Sequence, residues 1–190
     1  MKTIEIILPT FDRIYELKSA LACLMAQTSP NWLAHVVVDT PDRTVADDIV
    51  KEFNDERIYV THLKERYADW GHSPREYGKQ NSKADYVLMT GDDCYYVPIF
   101  IAELNRVIEA DDPDFIYWDM VHSHYQYHYF VCHPNLNQID MGAFAFRTKF
   151  GQQVKLGTTY AADGVFVNDF KNQFPNAKFK KIDKVLFVHN

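Results

Sequence analysis

Two adjacent carboxylates, Asp92 and Asp93, stand just past the apolar run Tyr86-Val87-Leu88-Met89. Neighbouring negative charges repel and aspartate is disfavoured in strands, so the pair calls for something positive beside it. A divalent cation is the sharpest candidate, and hard oxygen donors of this kind suit Mg2+ or Mn2+, which keep several waters and rely on phosphates for the rest of their shell. A capped turn ahead of a helix is the plainer alternative. Other residues able to do chemistry lie far apart. Asp39 closes the apolar run 33–38, and Arg75 offers a planar fork that pairs two oxygens at once. Asp163 opens a helical stretch, where a carboxylate acts as a general base or caps the helix. His122, His124 and His128 crowd an aromatic segment and invite a zinc site, but no cysteine or carboxylate completes a familiar spacing.

The elements that must position these groups follow from the apolar periodicity. Ile4-Glu5-Ile6-Ile7-Leu8 reads as a strand closed by Pro9-Thr10, and Ile14, Leu17, Ala20, Leu21 and Leu24 then recur at helical spacing, with Asp12 available as a cap. Further strands are expected over 33–38, 57–61 and 86–89, with helices between them over 45–53 and 73–83. Strands alternating with helices predict a helix-covered, mostly parallel α/β sheet, whose chemistry gathers beyond the carboxyl ends of the strands. Pro98 suits the first turn of the next helix. The second half changes character: 115–120, 121–131 and 141–147 are aromatic and strand-like, which predicts a smaller mixed or antiparallel region before a helix from Asp163 and a final extended run 179–188.

Composition narrows the classes. At 190 residues, 47% hydrophobic, one compact domain is expected, with a break in character near residue 98 dividing it into halves 1–98 and 99–190. A net charge of −6 without a basic block argues against nucleic acid as a partner. Three widely spaced cysteines, Cys23, Cys94 and Cys132, fit a reducing cytoplasm. No run is long and apolar enough to span a membrane, which leaves peripheral association as the membrane role open to the chain.

In order along the chain, Ile6-Ile7-Leu8-Pro9-Thr10-Phe11-Asp12-Arg13, Val36-Val37-Val38-Asp39, Arg75 with Gly78, and the acidic pair followed by Pro98 resemble a family 2 glycosyltransferase of the GT-A fold. The resemblance implies a nucleotide-sugar site: Pro9 and Thr10 at the opening turn, Asp39 on the base, Arg75 on base or phosphates. It lays Gly91-Asp92-Asp93 over the family's Asp-x-Asp motif, so that Asp93 holds the metal, the first acid is lost, and Asp92 either replaces it or leaves the ion to one carboxylate, phosphate and water. Thr40-Pro41-Asp42 departs from the usual Asp-Gly-Ser, which alters the ribose turn.

Ala161-Ala162-Asp163-Gly164 resembles the family's Glu-Asp motif and makes Asp163 the base, while Val188-His189-Asn190 resembles the histidine that completes the metal shell. Asp140 is expected on donor or acceptor hydroxyls, the aromatic segment 118–129 as an acceptor-facing wall, and His72, which could join Arg75, as a surface side chain. The implied reaction is inverting transfer of a sugar from a UDP-, GDP- or dTDP-sugar to a hydroxyl of a glycan or glycoconjugate, with Mn2+ or Mg2+. The rivals are a sugar-phosphate nucleotidyltransferase, disfavoured because no glycine-rich basic loop follows the first strand, and a non-catalytic binding module. A hydride-transfer enzyme is weaker still, since no Gly-x-Gly-x-x-Gly follows that strand.

Overall fold

A computed structural model describes residues 2–190. Four parallel strands form one side of the sheet: β1 (Ile4–Thr10), β2 (Leu33–Val38), β3 (Ile58–His62) and β4 (Tyr86–Met89). They are joined by α1 (Ile14–Met25), α2 (Val45–Phe53) and α3 (His72–Asn81). β1 is central, paired with β2 and β4, and buried at every position, which is why its sequence is a near-continuous apolar run. Thr44 and Asp47 close a capping box on α2. Asp12 does not cap α1: Arg13 occupies the cap position with no side-chain bond, and its guanidinium turns instead to the acidic pair.

The remaining elements are β5 (Tyr95–Tyr96), α4 (Phe100–Asp111), β6 (Phe115–His122), β7 (His128–Phe130), β8 (Phe144–Arg147), α5 (Thr148–Gly151), α6 (Ala162–Gln173) and β9 (Phe179–His189). Their strands continue the same sheet, with antiparallel pairs among them. One nine-stranded sheet runs in the order β3-β2-β1-β4-β8-β6-β9-β5, with β7 on β6. β8 enters antiparallel to β4 and β6 antiparallel to β8, so β6 and β9 regain the direction of β1 to β4 and the sheet is mixed but mostly parallel. The continuous strand expected over 121–131 is broken by a 3-10 turn at Ser123–Tyr125, followed by left-handed Gln126 and Tyr127. Buried Asp119 fastens the returning chain by accepting from the Tyr129 hydroxyl at 2.6 Å and the Cys132 amide at 2.9 Å.

α3 carries Arg75 and sits unusually close to the sheet. A Cβ on Gly78 would lie 2.5 Å from Ile7 Cγ2, so only glycine permits this approach. Fully buried Lys79 holds the helix from the other side, 2.9 Å from Glu76 and donating to the carbonyls of Gly151 and Val154.

Candidate active site

The carboxyl ends of β1, β2 and β4 open onto a cleft of about 510 Å³ lined by Pro9, Thr10, Asp39, Arg75, Asp92 and Asp93, together with Arg13 and Arg66. The two acids play different parts. Asp92 is 4% exposed, accepts from Thr10 Oγ1 at 2.7 Å and lies 3.3 Å from Arg13 Nη1. Burial pushes its carboxyl up to about 6, against the pull of Thr10 and Arg13. Asp93 is more open and takes a 2.8 Å bond from the same Arg13 nitrogen. Gly91 cannot restore the missing first acid with Asp93 where it stands, because a Cβ there would meet Asp93 Oδ1 at 2.7 Å and Cys94 Sγ at 3.3 Å.

Asp39 lines the cleft, but its two oxygens already accept the backbone amides of Tyr67 and Ala68 at 2.9 and 2.8 Å. It fastens a loop in which Ala68, Trp70 and Gly71 all take left-handed backbone angles. Arg66 from that loop stacks over Phe11, 3.6 Å from the ring centre. Arg75 donates Nε to the Thr90 carbonyl and Nη1 to the Trp70 carbonyl, each at 2.9 Å, which fixes the plane of the guanidinium.

A second cavity of about 440 Å³ adjoins the first, and Trp70, Arg75 and His189 line both. Asp163 faces it from the second position of α6, two residues past the N-cap Ala161, with Oδ1 accepting the Gly164 amide at 2.7 Å. Burial, reinforced by the charge of Asp140, lifts the Asp163 carboxyl to about 6 despite hydrogen bonds at the helix start. Asp140 accepts the Gly142 amide at 2.9 Å and lies 3.9 Å from His189 Nε2. His189 closes β9 with its Nδ1 3.3 Å from Nδ1 of His122, and burial depresses the basicity of His122. Buried His72 lines this cavity, not the first, with Nδ1 unpartnered and its pKa lowered by burial and by Arg75. Of the aromatic segment, His122, His124, Tyr125 and Phe130 face the cavity, whereas His128 and Tyr129 look outward onto another surface groove.

The sequence matches the family model for glycosyl transferase family 2 over residues 5–168. The chain belongs to that family. Its fold is that of S. aureus TarS 1–349, at TM-score 0.80 and 16% identity over 99% of this chain and 60% of that one. TarS in complex with UDP-GlcNAc superposes at 0.78, with 15% identity over 98% of this chain and 58% of that one. A mannosyltransferase from Pyrobaculum calidifontis in complex with GDP-Man and Mn2+ superposes at 0.76, with 12% identity over 99% and 56%. The chain thus spans about 60% or less of the length of these structures. No curated protein sequence matches it.

In this family 2 chain the charges lining the two cavities do not balance. Asp39, Asp92, Asp93, Asp140 and Asp163 face Arg13, Arg66 and Arg75, an excess of two negative charges. A divalent ion fits that excess, and the oxygens of Asp93 with the imidazole of His189 on the shared wall are donors such an ion accepts. Arg13 was legible as part of Pro-Thr-Phe-Asp-Arg at the strand end, yet its pairing with the acids is not a sequence signal. Neither is the meeting of His122 with His189, which are partners in the β6–β9 register.

Proposed function

We propose that this chain transfers a sugar from a nucleotide-diphosphate sugar to a hydroxyl of a glycan or glycoconjugate, with inversion, in one in-line displacement. The observation that carries this reading is that Arg75 and His189 line both cavities, so a carboxylate tuned to about 6, Asp163, shares a wall with the cleft at the strand ends. Pro9, Thr10 and Asp39 frame the nucleotide, and Arg75 offers its remaining N–H groups to the diphosphate. Asp163 takes the proton of the acceptor hydroxyl as it attacks the anomeric carbon, a role worth about 10²–10⁴ in rate. Asp140 bonds a sugar hydroxyl beside it.

Asp93, Asp92 and His189 would hold a divalent ion, Mn2+ or Mg2+, which when bound would supply positive charge against the leaving nucleoside diphosphate. Solved relatives of the fold hold UDP, UDP-GlcNAc and GDP-Man, the last with Mn2+, which supports a UDP- or GDP-sugar as donor; a dTDP-sugar rests on the family resemblance alone. Residues 1–98 form the donor half and 99–190 the acceptor half of a single domain. Among the described residues no helix is long and apolar enough to cross a membrane and all three cysteines are free, which supports work in the cytoplasm, on soluble acceptors or at a membrane surface.

The test is incubation with UDP-, GDP- and dTDP-sugars plus Mn2+, scoring slow release of nucleoside diphosphate. Release that is lost in Asp93→Ala supports the reading. No release and no cation-dependent donor binding with any sugar nucleotide would overturn it in favour of a binding module.

A further inference from the structure

On the acceptor side, three residues from three elements converge: His122 at the end of β6, His189 at the end of β9, and Asp140 ahead of the 3-10 turn at Met141–Ala143. One ligand atom from each can be chosen so that all lie within 4.8 Å of one another. The two Nδ1 atoms are 3.3 Å apart. Zinc–nitrogen bonds of about 2.0–2.1 Å at a tetrahedral angle separate two ligand nitrogens by about 3.4 Å, so the imidazoles already stand at ligand spacing.

The His124 amide donates to His122 Nδ1 at 3.1 Å, so that nitrogen is unprotonated and holds the lone pair that a metal would take in place of the amide.

We propose that His122, Asp140 and His189 form a second metal site, binding a borderline ion of the zinc class without any nucleotide, on the acceptor side of the cleft. Two imidazoles and one carboxylate select zinc over magnesium, and three protein ligands leave a coordination position open to water or an acceptor oxygen in the cavity that also holds Asp163. His189 serves this ion when no donor is bound. The site shares His189 with the donor reading but can be tested apart from it, since neither Asp93 nor a diphosphate takes part.

Co2+ titrated into the metal-free protein with no nucleotide present should give visible d–d bands saturating at one equivalent, bleached by Zn2+ and unaffected by Mg2+. His122→Ala and Asp140→Asn should each weaken binding by more than about tenfold. His133→Ala, at an exposed histidine outside the cluster, and Asp93→Ala should leave the bands unchanged. Zn2+ should raise the melting temperature of the parent and not of His122→Ala, while equal melting without metal certifies that the variant is folded. Absent bands, bands that need a nucleoside diphosphate, bands that survive in folded His122→Ala, or bands lost in Asp93→Ala would overturn the proposal. Donor hydrolysis is scored separately, so failure here leaves the transferase reading standing.

Discussion

The two cavities differ in kind although they share a wall. The cleft at the ends of β1, β2 and β4 is ionic: Arg13 bridges Asp92 and Asp93, Arg75 is pinned to carbonyls, and Arg66 lies on Phe11. The adjoining cavity is built from histidines, aromatic rings and two acids, Asp140 and Asp163, with Arg75 as its one guanidinium among the lining residues. An ionic cleft suits a diphosphate, whose charge must be held through the reaction. A softer, aromatic cavity with a carboxylate near 6 suits a neutral sugar hydroxyl that must lose a proton. On the proposed function the two cavities divide the labour across one sheet, with charge managed on the parallel side and proton transfer on the mixed side.

That division is most sharply tested at Asp163. Asp163→Asn should lower sugar transfer by about 10²–10⁴-fold while donor affinity, measured by calorimetry, stays put. Loss of donor affinity instead would erase the boundary between the cavities. In the parent, transfer should decline below about pH 6, where the base is protonated. The same variant has a stability signature. The Asp163 carboxyl is raised in the folded chain, so folding takes up a proton between about pH 4 and 6, and this group opposes folding above that window. Asp163→Asn should therefore be more stable than the parent at pH 8, by about 3 kcal/mol, with the gap closing toward pH 4 in denaturant titrations.

Gly91→Asp probes the ionic side. Restoring the family's first acid puts a side chain against Asp93, so cation-dependent donor binding should fall by about tenfold or more, the penalty of misplacing one charge-bearing group by an ångström. Improved binding would mean that the turn relaxes freely.

Arg13→Ala should cost about 1–2 kcal/mol at pH 8, discounted because Arg13 is half-exposed, and less at pH 5, where Asp92 is protonated and no longer needs a partner. A loss that does not vary with pH would remove Asp92 from the account. The smallest effects are expected at the rim. Trp70 and Tyr160 are 81% and 93% exposed at the mouth of the acceptor cavity, and replacing either with alanine should raise the acceptor KM about two- to tenfold with kcat unchanged.

How much of this was legible follows the same boundary. The parallel half is made of consecutive strand–helix units whose apolar periodicity is local, so Pro9, Thr10, Asp39, Asp92 and Asp93 could be placed at strand ends from the sequence and Arg75 singled out by the family resemblance, and all of them line one cleft. The sequence-based reading of Asp39 as a base contact did not anticipate that its oxygens hold the 67–71 loop, because that bond crosses 28 residues. The aromatic segment misled in a different way. Their closeness in the sequence invited a zinc site from His122, His124 and His128, but the chain turns at Ser123–Tyr125 and carries His128 away.

The order of residues by itself determined the α/β class, the family and the acids at the strand ends, since each rests on short-range patterning that any copy of the chain would express. Only the tertiary structure decided which of two adjacent aspartates turns inward and that His122 meets His189. Those outcomes depend on burial and on a strand pairing 67 residues apart, and neither leaves a periodic trace in the chain.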